Sequence, residues 1–97
     1  MFRHCVMFKF KAETSSGQRQ EIAERISALA ELPMVRNYQF GADAGLADGN
    51  FDFALVADFD DSEAYQAYAV DPIHVAVLTD YVRPNISARA AVQYQLD

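Results

Sequence analysis

Alternation of apolar and polar positions predicts four β-strands along the chain. In residues 2–11 every second side chain is aromatic or aliphatic except His4, which shares a face with Val6 and Phe8. A repeat of two residues is typical of a strand with one buried face. The same pattern predicts strands over residues 34–41, 51–59 and 88–96. In the last strand we expect the core-facing side chains to be Ala88, Ala90, Val92, Tyr94 and Leu96.

Between the first two strands, apolar side chains recur three and four residues apart, which predicts a helix. This helix carries Ile22 and Ile26, and Ser15 with Gln18 has the spacing of an N-terminal capping box. We expect the helix to end before Pro33, because the residue that precedes a proline avoids helical dihedral angles.

Two further helices are predicted between the third and fourth strands, separated by a break at Asp71 and Pro72. We expect Asp60, with Glu63, to cap the first of them. Asp71 is suited to the N-cap position of the second, shorter helix, with Pro72 in its first turn. This arrangement places His74 close to the N-terminus of that helix.

The predicted order is strand, helix, strand, strand, helix, strand within a single domain of residues 1–97. This βαββαβ order is typical of the α+β class and of a ferredoxin-like fold, a four-stranded antiparallel sheet with helices on one face. The first and third strands have the heaviest apolar faces, so we expect them in the centre. The opposite sheet face should expose an apolar patch formed by Cys5, Met7, Ala54, Val56 and Ala91. Because such patches mark partner surfaces, we expect a homodimer that pairs sheet to sheet.

Composition narrows the range of partners. The formal charge is −6, from 14 acidic and 8 basic residues, and Lys and Arg do not cluster, which argues against nucleic acid. No apolar run approaches the ~20 residues of a membrane span. The single Cys5 is consistent with a reducing compartment, so we expect a cytoplasmic protein. His4 and His74 have no third ligand at a suitable spacing, so no metal site is expected.

Histidine and tyrosine side chains supply the candidate chemistry. His74 lies in the first turn of a helix, which lowers the pKa of a histidine and keeps a neutral base available near pH 7. His4 lies on the apolar face of a central strand, where it is either buried or lines a cavity, and a tyrosine hydroxyl such as that of Tyr68 can be its partner. All three residues also fit a structural role as packed interior side chains. Further ligand contacts are expected from Tyr65, Phe8, Phe53 and Tyr81.

Four segments resemble the dimeric α/β-barrel (Dabb) family, also called stress-responsive α/β-barrel proteins. They are RHCVMFKFK at 3–11, YQFGAD at 38–43, NFDFALVADFDDSEAYQAY at 50–68 and DPIHVAVLTDYVRP at 71–84. The last segment resembles the HPxH element of the family, with Asp71 at the position of the first histidine. The resemblance implies ferredoxin-like monomers that pair through their sheets into a dimeric α/β barrel.

The family includes olivetolic acid cyclase, which closes a polyketide ring without a cofactor. By this resemblance His4 and His74 occupy the positions of that enzyme's catalytic pair, and Tyr68 that of a tyrosine in its pocket. The resemblance implies a pocket for a small apolar ligand and cofactor-free acid–base chemistry. Two alternatives stay open, a non-enzymatic stress-responsive dimer and a cofactor-free monooxygenase or isomerase. A cavity of ~300 Å³ or more that contains both imidazoles would favour binding or catalysis.

Overall fold

The computed structural model describes residues 1–96. Its strands are β1 (Phe2–Phe10), β2 (Asn37–Ala42), β3 (Phe53–Phe59) and β4 (Ile86–Gln95), and its α-helices are α1 (Ser16–Ala28), α2 (Ser62–Val70) and α3 (Pro72–Val77). The strands form one antiparallel sheet in the order β2-β3-β1-β4. The ferredoxin-like fold and the central position of β1 and β3 are therefore confirmed.

The second and third strands along the chain begin later than the sequence predicts. Pro33 and Met34 lie in a turn, closed by a hydrogen bond from the Val35 amide to the Leu32 carbonyl, so β2 starts at Asn37 rather than at residue 34. The third strand starts at Phe53 rather than at residue 51. There the Asp52 carboxylate accepts a hydrogen bond of 2.8 Å from the Phe10 amide, in place of a regular strand contact.

The predicted orientation of the last strand is wrong. In the register of the sheet, Val6 lies opposite Ala91 and His4 opposite Gln93, so the odd-numbered residues of β4 share the helix-covered face. The side chains of Ala90 and Val92 therefore lie on the other face, and Ala91 does not belong to the exposed apolar patch. The reversal is possible because β4 is an edge strand, where polar side chains on the helix side can still reach solvent.

The helix termini are fixed by side-chain caps. Ser15 and Gln18 form the predicted capping box, with the Ser15 amide donating to the Gln18 side chain at 2.8 Å. Asp61, not Asp60, caps α2, because its carboxylate accepts from the Ala64 amide at 2.8 Å. Asp60 forms an ion pair of 2.9 Å with Arg36 instead. No helix within residues 1–96 is both long and apolar enough to cross a membrane.

The two faces of the sheet differ in character. The helix-covered face holds the core, which includes Val6, Phe8 and Leu55 of the central strands. The other face, which we call the open face, is apolar in its middle and is formed there by Cys5, Met7, Ala54, Val56, Ala90 and Val92. At one end of the open face Arg3 donates to both carboxylate oxygens of Asp58, at 2.8 and 2.9 Å. Met7 and Val92 are 44% and 56% exposed, so the chain alone leaves this face without a cover.

Candidate functional site

A cavity of about 390 Å³ lies between the helix-covered face of the sheet and the helices. Most of its wall is apolar, with contributions from β1, β3, α1 and α3. Its polar or ionisable lining side chains are His4, Tyr65, Tyr68, His74, Arg83 and Arg89. The volume is enough for a small organic molecule, and a few convergent polar groups in an apolar wall are typical of a ligand site.

His4 enters the cavity from β1, because it shares the inward face of the strand with Val6 and Phe8. Its side chain is buried, and Nδ1 lies 2.8 Å from Nε2 of Gln93, its pairing partner on β4. Burial lowers the pKa of His4 to about 4, and the charges of Arg89 and His74 act in the same direction. The imidazole is therefore neutral near pH 7.

His74 enters the cavity from the first turn of α3. The helix begins here because Asp71 accepts a hydrogen bond of 2.9 Å from the Ile73 amide, and Pro72 occupies the first turn. The Nδ1 atom of His74 lies 3.2 Å from the carbonyl oxygen of Ala69. Burial is the main cause that lowers the pKa of His74. The lowered pKa agrees with the expectation from sequence, although burial rather than the helix terminus is the main reason.

The partners of the two imidazoles select opposite tautomers. A carbonyl oxygen only accepts, so Nδ1 of His74 carries the proton and Nε2 has a free lone pair. The Gln93 amide nitrogen donates, so Nδ1 of His4 accepts and its Nε2 carries the proton. One imidazole therefore offers a base and the other a hydrogen-bond donor, and both line the same cavity.

Tyr65 and Tyr68 of α2 connect the two histidines. The Tyr65 ring lies 4.9 Å from that of His4, and the Tyr68 ring lies 4.1 Å from that of His74. The Tyr68 hydroxyl is buried and, within residues 1–96, has no hydrogen-bond partner. The nearby hydroxyl of Tyr38 donates instead to the Ile26 carbonyl at 2.8 Å. Burial raises the pKa of Tyr68 to about 12, so this hydroxyl stays protonated and able to donate.

Of the three other residues that were predicted to contact a ligand, only one lines the cavity. Phe8 lines the cavity beside the histidines. Phe53 does not: its ring stacks on that of Phe8 at 5.3 Å and borders depressions on the far side, near the loop between β2 and β3. Tyr81 is half-buried outside the lining, and the guanidinium of Arg25 lies 4.8 Å from the centre of its ring. Five of the seven expected residues therefore converge, namely His4, Phe8, Tyr65, Tyr68 and His74.

Residues 2–96 match the family model described as the stress responsive A/B barrel domain, Dabb. The chain belongs to the Dabb family. It is similar to a solved dimeric ferredoxin-like protein of unknown function from Thermobifida fusca, with 40% identity over 98% of this chain and 90% of that chain and a TM-score of 0.91. A dimeric protein of unknown function from Bacteroides fragilis shares 25% identity over 98% of this chain and 95% of that one, with a TM-score of 0.80.

More distant structures share the fold alone. The hydroxynitrile lyase of Passiflora edulis is 20% identical over 99% of this chain and 93% of that chain, with a TM-score of 0.86. No curated protein matches the Dabb chain significantly. The family and the fold are thus established, while the chemistry of this Dabb domain has to be argued from its own side chains.

Arg83 and Arg89 are the charged lining residues that were not predicted from the sequence. Arg89 was assigned to the exposed face of the last strand, so the error in the orientation of β4 removed it from consideration. Gln93 was missed for the same reason. The usable signal was the arginine in the middle of the alanine-rich stretch SARAAV, which has no acidic neighbour in the strand. Within residues 1–96 no group of three or more His, Cys, Asp or Glu side chains is arranged to hold a metal ion.

Proposed function

We propose that this Dabb protein binds a small, largely apolar or aromatic carbonyl compound and moves a proton at the carbon beside the carbonyl. The observation that carries the proposal is the pair of neutral imidazoles with opposite tautomers on one apolar cavity. A free lone pair and an N–H donor are the two groups that enolisation requires. The reaction proposed for this pair uses protein side chains alone.

In the proposed step, Nε2 of His74 takes the proton from the carbon. The electron pair of the broken C–H bond forms a carbon–carbon double bond, and the carbonyl π pair moves to the oxygen. The Nε2–H group of His4 donates a hydrogen bond to that oxygen as its negative charge grows. Return of the proton from His74 to the opposite face of the same carbon inverts that centre, and return to the same face completes hydrogen exchange. Alternatively, the enolate carbon attacks a second carbonyl of the same ligand and closes a ring, as in a cyclase, and the alkoxide so formed takes the proton that His74 holds.

The tyrosines and Phe8 have supporting roles in this proposal. Tyr68 packs its ring against that of His74 at 4.1 Å, which supports a role in holding the imidazole in position, while its hydroxyl is buried away from the cavity surface. Tyr65 and Phe8 supply flat apolar walls for an aromatic or alkyl group. The apolar wall also excludes water, which strengthens each hydrogen bond to the developing oxyanion.

The functional unit of the proposal is a homodimer that pairs through the open face. The similar proteins from T. fusca and B. fragilis are described as dimeric. The exposed Met7 and Val92 give the open face an apolar middle, which pairing with a second copy would bury symmetrically. Because the cavity lies on the other side of the sheet, pairing leaves it accessible. Under the non-enzymatic hypothesis the same dimer forms, but the cavity has no function.

The proposal is tested by exchange of hydrogen for solvent deuterium beside the carbonyl of propiophenone, followed by NMR. We expect the protein to accelerate the exchange, and His74→Gln to reduce the acceleration at least 100-fold because it removes the base. His4→Gln should reduce it about tenfold or more by removing the donor. Lys11→Gln, outside the cavity, serves as the control and should exchange at the parent rate.

Ligand titration separates binding from catalysis. With benzoylacetone as probe, the imidazole NMR signals of both His4 and His74 should shift together, because both line one cavity. A response of one histidine alone, or exchange that is unaffected by His74→Gln, would contradict the acid–base proposal. Absence of both binding and exchange would favour the non-enzymatic dimer.

A further inference from the structure

Two arginines from different elements meet at the same cavity. Arg89 projects from β4, where it lies opposite Phe8 on the helix-covered face. After α3, a π-helical turn spans Leu78–Val82, and Arg83 begins the short helical turn that comes next, Arg83–Asn85. Both side chains line the cavity with His4 and His74, although they come from separate parts of the fold.

Within residues 1–96, neither guanidinium forms an ion pair or a side-chain hydrogen bond. The other four arginines of the chain all have a partner: Arg3 binds Asp58, Arg36 binds Asp60, Arg19 donates to the Thr14 carbonyl and Arg25 lies over the Tyr81 ring. Arg83 and Arg89 are thus the arginines without a partner in residues 1–96, and both are exposed to solvent at the cavity that they line. A free guanidinium at a cavity is a strong binding group for a planar anion.

The charge at the cavity is opposite to that of the whole chain. The formal net charge is −6, yet the described lining contains two arginines and no aspartate or glutamate. Arg89 acts electrostatically on both imidazoles, and Arg83 acts on His74. Because these four residues line one cavity of about 390 Å³, one ligand in it can contact a guanidinium and an imidazole together.

We propose that Arg83 and Arg89 bind a carboxylate on the ligand, so that the site selects small keto acids over neutral ketones of the same shape. This inference rests on the proposed function for the site, but it concerns recognition rather than proton transfer. A carboxylate is planar and accepts two parallel hydrogen bonds from a guanidinium, and a keto acid offers this group together with an apolar part that the cavity wall can cover. The apolar part of the acid would lie against Phe8 and Tyr65.

The test compares 3-benzoylpropanoate with its methyl ester by isothermal titration calorimetry. The two probes share the aryl ketone and differ in the charge of the carboxyl group. We expect the acid to bind the parent protein about tenfold more tightly than the ester, because charge-assisted hydrogen bonds form only with the anion. Arg83→Gln and Arg89→Gln should each weaken binding of the acid about tenfold and change binding of the ester less than twofold.

Arg25→Gln is the matched control, since it removes the same charge from a position outside the lining. It should leave the affinity for both probes unchanged. An equal affinity of the parent for acid and ester, or an equal loss in the Arg25→Gln control, would overturn the inference. Circular dichroism of each variant checks that the fold is intact.

The outcomes distinguish this inference from the proposed function. Suppose that the ester binds and propiophenone exchanges, but the affinity for the acid does not depend on the two arginines. Then only the carboxylate preference is wrong. If the acid binds in an arginine-dependent way and no exchange occurs, the anion site stands and the acid–base proposal is wrong. If raising the salt concentration weakens the binding of the acid but not that of the ester, the contribution of charge to binding is supported directly.

Discussion

Gln93 binds Nδ1 of His4 across the pairing of β4 with β1, at a distance of 2.8 Å. The contact determines more than the orientation of the ring. It leaves the ring proton on Nε2, and so makes His4 a donor rather than a base. A residue that does not line the cavity thereby decides which histidine performs which half of the proposed reaction.

Gln93→Glu tests this relationship. The new carboxylate would accept a hydrogen bond from Nδ1 of His4, so that the neutral ring carries its proton on Nδ1 and Nε2 has the lone pair. The negative charge also favours the charged imidazole, so the pKa of His4 should rise by about 1–2 units. Deuterium exchange should fall about tenfold or more, because the donor to the oxyanion is lost. Gln95→Glu adds the same charge two residues along the same strand and should leave His4 almost unchanged. NMR titration of the imidazole nitrogens measures both effects.

The buried histidines predict that acid destabilises the fold. At pH 5 the unfolded chain holds a proton on His4, whose folded pKa is about 4 against an ordinary 6.5, so folding must expel it. Above pH 6.5 His4 imposes no cost on folding. As the pH falls from 6.5 towards 4, the free energy of unfolding should decrease by roughly 1–3 kcal/mol because of this group. His4→Gln should flatten this slope in denaturant titrations. A slope unchanged by His4→Gln would mean that His4 is not the group responsible.

Asp58 should act at lower pH. Its partner Arg3 holds the pKa of this carboxyl below the ordinary 3.8, so the stability that it contributes is present above that pH and is lost on further acidification. The two groups can therefore be separated by comparing stability above and below about pH 4.

Tyr68 and Tyr38 form a matched pair for testing stability against function. Tyr68→Phe removes a buried hydroxyl that has no partner in residues 1–96, so we expect a gain of about 1 kcal/mol in the free energy of unfolding. Tyr38→Phe removes a donor to the Ile26 carbonyl and should cost about 1 kcal/mol. Because neither hydroxyl is exposed in the cavity, binding of benzoylacetone should change little in both variants. A Tyr68→Phe variant that is less stable than the parent would contradict this assignment.

The cap at Asp71 should be worth a measurable amount of stability. Asp71→Ala removes the acceptor of the Ile73 amide and should lower the free energy of unfolding by about 0.5–2 kcal/mol. Asp71→Ser should recover most of the loss, since serine can also cap a helix. Asp80→Ala, an exposed position in the following turn, controls for the lost charge. Equal thermal unfolding of parent and Asp71→Ala would show that the cap contributes nothing.

The dimer proposal predicts sensitivity on the open face. Val92→Lys places a charge in the apolar middle of that face and should convert the dimer to a monomer at micromolar concentration in sedimentation velocity. Val70→Lys is the control, because Val70 is 74% exposed at the end of α2 and away from the open face. We expect a buried interface above ~1,000 Å², which includes Met7 and Val56. A monomeric parent chain at that concentration would rule out the pairing.

The sequence specified most of this fold because the strong patterns lie on the central strands. The alternation of β1 gave the correct inward face for His4, Val6 and Phe8, since a central strand has a core on one side. The caps at Ser15 and Asp71 were also predictable, because they depend on contacts within a few residues.

The edge strand could not be oriented from its pattern. In β4 the small residues lie on both faces, as Ala88 and Ala90 on one and Ala91 on the other, so hydrophobicity does not choose a side. Because the middle of the open face is also apolar, an apolar side chain in β4 does not have to face the core. Arg89 and Gln93 were consequently hidden, and only the register with β1 reveals them.

The alternation of β1 also separates two kinds of evolutionary change. Within a single nine-residue strand, the even-numbered side chains lie on the helix-covered face, where His4, Val6 and Phe8 line the cavity, and the odd-numbered ones lie on the open face. A substitution can therefore retune ligand choice at Phe8 without touching association, or alter association at Met7 without touching the ligand. Insertion or deletion of one residue inside the strand would exchange the two sets at once. The two properties can therefore be changed one at a time by substitution, but only together by a change in the length of the strand.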